Sequence, residues 1–545
     1  MNLILLSSVI LLVIIITIIF TKTNRIKYLR SLRAAWGSIP EKSLSTEDAS
    51  LFFEFTKDMS HSHTHQLDDN TWNDLNFDDI FRIMDRTNTP VGSQYLYHLL
   101  RTPALNKTIL DDRESMINLF SRDQNLREQL QLILRHLNEK NAKYLPYSLW
   151  KPLPEVPGYA KFLPIMTLIS TIVLLLALGN ILHPASVFLI FSVNLIIHSF
   201  IKRKIEIFIH SFQYLGVMIS VSDRISVLKT EKLKSVQNVL SKNLKETRII
   251  AKRLFTLQFK DQLGIVEYFN IYFLSEVTGF FSAVKKIDQH SEKLRTLFKT
   301  IGYLDALISV ASFRNENNRY CQPVFTENSK NFDVDEIYHP LLKNPVSNCF
   351  RFDCQTVIIT GSNMSGKTTF LKTLGVNAVL AQSINTCMAG RYKAPFLNVK
   401  SSIGITDNLL LGKSYYLSEV ESLLDILKSS DTGGIHLFIL DEILRGTNST
   451  ERLAASIAIL KYLANNKDFI LVSTHDMQLP ETLKDQYSNF HFSEKISSDG
   501  LCFDYKLHDG TATTRNAIAL LEYAGYPKSI TKNAKEYINR KNVRI

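Results

Sequence analysis

Three textures divide the chain. From Leu3 to Phe20, 18 residues run without a charge and with only Ser7, Ser8 and Thr17 as polar interruptions. As a helix they cover about 27 Å, long enough to cross a bilayer. A second apolar block from Phe162 to Phe200 is broken at Gly179-Asn180 and His183-Pro184, which predicts a helical hairpin with a very short outer turn. Its short second arm carries Asn194 and His198, so a helical pair buried in a soluble core is the alternative to a membrane hairpin. Residues 69 to 150 have helical periodicity, and residues 202 to 310 read as long helices with charges interleaved among Leu, Ile, Val and Phe. After about residue 315 short β-type runs take over: Thr356-Val357-Ile358-Ile359, Leu437-Phe438-Ile439-Leu440 and Phe469-Ile470-Leu471-Val472. Helical stretches separate them, which predicts a mostly parallel α/β sheet.

Charge sharpens the membrane reading. The 63 basic and 52 acidic residues of this 545-residue chain give a net charge of +11. Lys22, Arg25, Lys27, Arg30 and Arg33 follow the first apolar run and Lys202-Arg203-Lys204 follow the second; removing those eight leaves +3. Basic residues flanking apolar runs are topology signals, and the remaining excess is too small to argue for DNA by itself. A cleaved signal peptide carries its basic residues before the apolar run, so an uncleaved anchor with its N-terminus outside is expected. Lys161 and Lys202 then face the cytoplasm. At roughly 150 residues per domain the chain can bury two to four cores. Five cysteines without a C-x-x-C pair suggest neither a disulfide framework nor a structural zinc site, and fit a reducing compartment. His61, His63 and His65 alternate in a polar stretch; a solvated loop is the expectation, a metal site the alternative.

The chemistry lies in the last third. Gly361-Ser362-Asn363-Met364-Ser365-Gly366-Lys367-Thr368 is a complete G-x-x-x-x-G-K-[ST] loop between a predicted strand and a predicted helix. In such a loop backbone N–H groups wrap phosphates, Lys367 reaches the β and γ phosphates, and Thr368 ligates Mg²⁺. Thr369 continues the loop into the helix. The second strand ends in Asp441-Glu442: an aspartate there holds Mg²⁺ through water, and the adjacent glutamate can polarise attacking water. The third ends in Ser473-Thr474-His475-Asp476, where His475 can sense the γ-phosphate. Together they describe a nucleotide hydrolase using ATP and Mg²⁺.

These stretches resemble the MutS family of ATPases, known for DNA mismatch repair. The resemblance rests on Thr360 to Thr369, on Asp441-Glu442 followed by Arg445-Gly446-Thr447, and on Ser473-Thr474-His475. It extends to Gly302-Tyr303-Leu304-Asp305-Ala306-Leu307, His339-Pro340-Leu341, Asp509-Gly510 and Gly525-Tyr526-Pro527. The region from Thr71 to Pro103, including Thr87-Asn88-Thr89-Pro90-Val91-Gly92-Ser93, is similar to the start of the family's helical core. Gly412-Lys413-Ser414-Tyr415-Tyr416-Leu417-Ser418-Glu419 resembles the family's segment that meets the partner subunit's nucleotide, which implies a role for Ser414 in trans. Departures are Ser365 for the usual Gly, Tyr415-Tyr416 for Thr/Ser-Phe, and Arg515-Asn516-Ala517 for Ser-Tyr-Gly. Only about 50 residues separate the first apolar run from the core, too few for the family's mismatch-reading domain. Phe52-Phe53-Glu54 matches that domain's Phe-x-Glu tripeptide by coincidence, and no appended nuclease is expected before Ile545.

The fold expected is therefore an α/β P-loop ABC-type ATPase domain at 315–545, following an all-α helical core and lever at 22–159 and 202–314. A transmembrane anchor at 1–21 and a transmembrane hairpin at 160–201 complete it. The resemblance implies a homodimer in the cell membrane, multi-pass, with a cytoplasmic ATPase, acting as an ATP-dependent clamp on DNA and taking no small-molecule substrate beyond ATP. Glu442, His475 and Ser414 are the catalytic candidates; Gly361 to Thr369 bind nucleotide; Thr368 and Asp441 hold the metal. Two other classes compete: a membrane scaffold using ATP-driven closure without nucleic acid, and an ABC-type transporter component. Three spans are few for a translocation path, and Leu417-Ser418-Glu419 lacks the glycines of a transporter signature.

Overall fold

A computed structural model describes residues 2–40, 44–59, 65–254, 265–317, 319–326, 331–352, 355–362, 364–404, 415–445, 447–497, 500–511, 518, 521–522 and 524–542. The chain forms two compact units. One comprises residues 1–60, 82–98 and 115–316 and is helical throughout; the other comprises 61–81, 99–114 and 317–545 and carries the sheets.

In the helical unit, apolar periodicity becomes long helices around an aromatic core. Phe52 is fully buried, with ring centroids 4.9 Å from Trp150 and 5.1 Å from Phe298. Phe53 is buried as well, so both aromatics of Phe52-Phe53-Glu54 are core packing, while exposed Glu54 pairs with Lys57 at 2.8 Å. The first helix, Asn2–Ala35, exposes Leu12, Ile16 and Ile19. Its basic end is tied down: Arg33 donates from Nε and Nη2 to Glu128 at 2.7 and 2.9 Å, and Arg135 lies 4.4 Å from the Tyr28 ring.

Among the described residues, Gly158–Leu178 and Ala185–Ser226 are long and apolar enough to cross a membrane, and little of their apolar stretch is buried. Ser291–Glu316 meets the same length and composition criteria but is largely buried, which makes it a core helix. The 42-residue helix Ala185–Ser226 changes character along its length. Phe188 and Ile196 are exposed near its start, whereas Ile205, Ile209, Phe212 and Leu215 are buried farther on. Two of its polar side chains reach across to neighbouring segments. Asn194 donates to the Ser170 hydroxyl at 2.9 Å and the Tyr272 carbonyl at 2.5 Å, and His198 lies 3.1 Å from Glu276.

A buried carboxylate locks the turn before helix Pro90–Arg101 to the last helix of this unit. Asp305 accepts from the Asn88 backbone at 2.9 Å, the Asn88 amide at 2.9 Å and the Thr89 hydroxyl at 2.7 Å. A Cβ on Gly92 would stand 2.2 Å from an Asp305 carboxylate oxygen, so glycine is required there. Burial pushes the Asp305 carboxyl up to about 6, opposed by these donors and assisted by nearby Asp85.

The sheet-bearing unit has ten strands among its described residues: β1 (Val324–Phe325), β2 (Asp333–Ile337), β3 (Asn348–Arg351), β4 (Thr356–Thr360), β5 (Arg391–Ala394), β6 (Asn398–Ser402), β7 (His436–Asp441), β8 (Phe469–Thr474), β9 (Ser488–Ser497) and β10 (Gly500–Asp509). A small sheet runs β1-β5-β2-β3 and the main one β10-β9-β4-β8-β7-β6. The three apolar runs are the central β4, β8 and β7, parallel and fully buried, and only β10 is antiparallel to its neighbour in the main sheet. Continuous rather than alternating hydrophobicity is what strands covered on both faces require.

This unit also takes in 61–81 and 99–114, which the sequence boundaries leave in the helical part. Buried Asp74 accepts from the Ser401 hydroxyl and from the backbone of Ile403 and Gly404, fixing the chain as it leaves β6. His65 is partly buried, with Nε2 3.2 Å from the Val399 carbonyl, rather than lying in a solvated loop; His61 and His63 fall outside the described residues. No metal-holding group of three or more His, Cys, Asp or Glu occurs among the described residues.

Candidate nucleotide site

Parallel register brings three motifs to one edge. Thr360 pairs with Thr474 across β4 and β8, and Asp441 with Ser473 across β7 and β8. The loop after β4, the Asp441-Glu442 end of β7 and the His475 end of β8 therefore meet at the carboxyl ends of adjacent strands, where open α/β sheets bind ligands.

The loop is shaped by left-handed backbone. Gly361 has φ +146°, Met364 +71° and Gly366 +107°. A Cβ on Gly361 would lie 2.9 Å from the Phe492 carbonyl, so the close approach of β9 demands glycine. Helix Lys367–Ile384 starts immediately after Gly366. Lys367 folds back, donating to the carbonyls of Gly361 and Ser362 at 2.8 Å each, and the Ser362 hydroxyl donates to Glu494 at 2.6 Å. Burial holds the Lys367 ammonium below its ordinary pKa, against the pull of Glu442 and Asp441. Thr369 lines the same cavity, Met364 is largely exposed, and Ser365 is buried with its hydroxyl unpartnered; Asn363 lies outside the described residues.

The acidic pair is tightly braced. Asp441 accepts from the Thr368 hydroxyl at 2.9 Å, from the Ser473 hydroxyl, and from Arg445 at 3.3 Å. Glu442 receives Arg445 Nε at 3.1 Å and His475 Nδ1 at 3.2 Å. The His475 contact, with Arg445 behind it, lowers the Glu442 pKa, so its carboxylate stays charged. The turn that aims these groups is strained: Glu442 and Leu444 have φ +50° and +59°, costing on the order of 1–3 kcal/mol each. Two contacts offset that cost. The Glu442 N–H donates to the Ser473 carbonyl at 3.0 Å, and buried Glu419 accepts from the N–H groups of Leu444 and Arg445.

A cavity of about 870 Å³ opens onto Lys367, Thr368, Asp441 and Glu442, and extends to His339 and Lys372. That volume suits a nucleotide-sized ligand. Burial, with Lys372 nearby, pushes His339 down to about 4, so it lines the cavity as a neutral ring. Thr368 and Asp441 supply hard oxygens already in contact, a donor set that fits Mg²⁺, which binds few protein ligands alongside phosphates and water. Lys367, Thr368, Asp441, Glu442 and His475 thus converge; Ser414 falls outside the described residues. Sequence reasoning assigned no role to Arg445, Glu419, Glu494 or Ser473. For Arg445 the signal was there, since positions three and four beyond Glu442 and Asp441 can fold back onto both carboxylates.

Comparison with known proteins agrees with this geometry. Residues 357–541 match the family model for MutS domain V. The chain is 29% identical over 310 residues to the DNA mismatch repair protein MutS of Methanosarcina mazei, covering 54% of this chain and 34% of that protein. It is 30% identical over 269 residues to that of Lactobacillus acidophilus, covering 47% and 31%, and 27% identical over 264 residues to that of Thermus thermophilus, covering 48% and 32%. The chain spans about a third of the length of these curated relatives. Over residues 357–541 the chain is thus similar to MutS domain V, in the stretch where the three motifs converge.

Proposed function

We propose that the chain is a membrane-anchored ATPase whose homodimer closes on DNA in response to nucleotide. The observation that carries the hydrolytic part is the convergence of Lys367, Thr368, Asp441 and Glu442 on one cavity. Lys367, released from the Gly361 and Ser362 carbonyls, is within reach of bound phosphates. Thr368 and Asp441 would hold Mg²⁺, which would supply charge neutralisation at the phosphates. Glu442, kept ionised by His475 and Arg445, accepts a proton from the attacking water, and His475 sits where a change at Glu442 is felt directly. Ser414 acts in trans, donating to the partner subunit's γ-phosphate, so that each site is complete only in the dimer.

Membrane anchoring draws support from the exposed apolar faces of Asn2–Ala35, Gly158–Leu178 and Ala185–Ser226, which water would penalise at about 25 cal/mol per Å². The basic clusters beside them argue for a cytoplasmic ATPase in a multi-pass cell-membrane protein. The DNA arm follows from the resemblance to DNA mismatch repair proteins and does not extend to mismatch reading. Retention of DNA by the detergent-solubilised full chain at increasing salt tests it: phosphate contacts require a steep linear fall of log affinity with log salt. Absence of retention at low salt overturns the DNA arm and leaves a nucleotide-driven scaffold.

A further inference from the structure

Two of the five cysteines, 66 residues apart, face each other within the sheet-bearing unit. Cys321 and Cys387 form an isolated antiparallel bridge, each N–H donating to the other's carbonyl at 2.9 Å. A hydrogen-bonded antiparallel pair holds its Cα atoms about 5.5 Å apart, inside the range of about 4.4–6.8 Å that a disulfide spans. Neither cysteine is in a disulfide. We infer that Cys321 and Cys387 are a reversible dithiol–disulfide couple, a clasp between the lead-in to the ATPase sheet and the end of the helix that carries Lys367.

The two sulfurs have unequal roles. Cys321 is partly exposed and Cys387 is buried, so an oxidant reaches Cys321 first. The neighbouring Cys387 side chain, whose thiol donates to the Asn377 carbonyl at 3.8 Å, and the Tyr392 backbone hold the Cys321 thiol below the usual pKa, favouring the reactive thiolate. The Tyr392 hydroxyl, buried and without a hydrogen-bond partner, lies within electrostatic reach of both sulfurs. With hydrogen peroxide as oxidant, the Cys321 sulfur takes one oxygen and the O–O bond breaks, giving a sulfenic acid and water. The Cys387 sulfur then attacks the Cys321 sulfur, the S–O bond breaks, and the hydroxide leaves as water with the Cys387 proton. A thiol reductant reverses the couple, as a reducing compartment requires.

The clasp sits one step from the nucleotide cavity. Asn377, on the Lys367–Ile384 helix, donates to the Tyr338 carbonyl at 3.2 Å and accepts from the Met388 N–H at 2.6 Å. Tyr338 lines the cavity and Met388 follows Cys387 directly. Closure therefore pins the strip that supports one cavity wall.

The test exposes the folded full chain in detergent to limiting hydrogen peroxide, then counts thiols in denaturant and maps peptides without reduction. Five thiols should fall to three, with a Cys321–Cys387 cross-linked peptide that disappears on reduction. In Cys387→Ser, a sulfenic-acid trap should label Cys321; in Cys321→Ser, position 387 should stay unlabelled. If exposed Cys349 is oxidised while no 321–387 link forms, or if the link forms only after unfolding, the couple does not exist. ATP turnover need not be measured, so failure of the hydrolase reading would leave this result intact.

Discussion

Replacing Glu442 by glutamine isolates the chemical step. The amide is isosteric, and the phosphate and metal groups Lys367, Thr368 and Asp441 keep their contacts, including the 2.9 Å bond from Thr368 to Asp441. Arg445 loses a charged partner at 3.1 Å yet retains Asp441 at 3.3 Å, so the turn should hold. What disappears is the proton acceptor that His475 and Arg445 keep ionised. Positioned general bases contribute about 10²–10⁴-fold, or about 3–5 kcal/mol of barrier. The expected outcome is a kcat lowered by that factor with ATP affinity changed only a few-fold, measured by single-turnover hydrolysis and equilibrium binding of Mg-ATP. Lys367→Ala should show the opposite balance, losing binding itself. Because the Glu442 pKa is depressed from its ordinary 4.5, its charge persists as pH falls to that value, so wild-type activity should show no half-loss near pH 4.5 attributable to it. Turnover of Glu442→Gln within threefold of wild type, or loss of affinity equal to the loss of kcat, would refute the assignment.

Asp305, carried from 3.8 to about 6 by burial, is more protonated in the folded than in the unfolded chain between those values. Stability of the helical unit should therefore fall by about 3 kcal/mol as pH rises from about 4 to about 6, and Asp305→Asn should flatten that slope in denaturant titrations; a rising slope would contradict it. Gly92→Ala, which places a methyl against the Asp305 carboxylate, should destabilise by about 1–3 kcal/mol in the same assay. A tag at the N-terminus should be accessible outside intact cells and one at residue 545 only after permeabilisation, and digestion of the ATPase half by external protease would reverse the topology. Ser414→Ala and Lys367→Ala chains should each be weak alone, while mixed dimers regain up to one working site; activity equal to the mean of the parents despite subunit exchange would remove Ser414 from a trans role.

What could be read from the sequence was what nearby residues decide. The strands β4, β7 and β8 announced themselves because burial on both faces leaves unbroken apolar runs, and the phosphate loop because its φ values need glycine at fixed spacing. Groups defined by partners far along the chain stayed hidden. Asp305 meets Asn88 across 217 residues, and Asn194 meets Tyr272 across 78, so their polar burial has no local signature. Residues 69–81 and 99–114 read as ordinary helix, and Asp74, bonded to Ser401 across 327 residues, and Thr71, accepting from the Ser401 N–H, show why the first of them stays with the sheet.

Glu419 shows how that blindness bears on experiment. It lies five residues beyond Ser414, in a stretch whose resemblance points to the partner subunit, yet its carboxylate holds the Leu444 and Arg445 N–H groups of its own chain. A lesion there would leave a strained, unbraced turn under Glu442 and damage the site in cis, whatever Ser414 does in trans. Loss of activity on altering this stretch is therefore ambiguous by itself. A cis defect at Glu419 leaves that chain's own loop unusable and its Ser414 intact, whereas a trans defect at Ser414 has the reverse pattern, so complementation between chains carries the information that single variants lack.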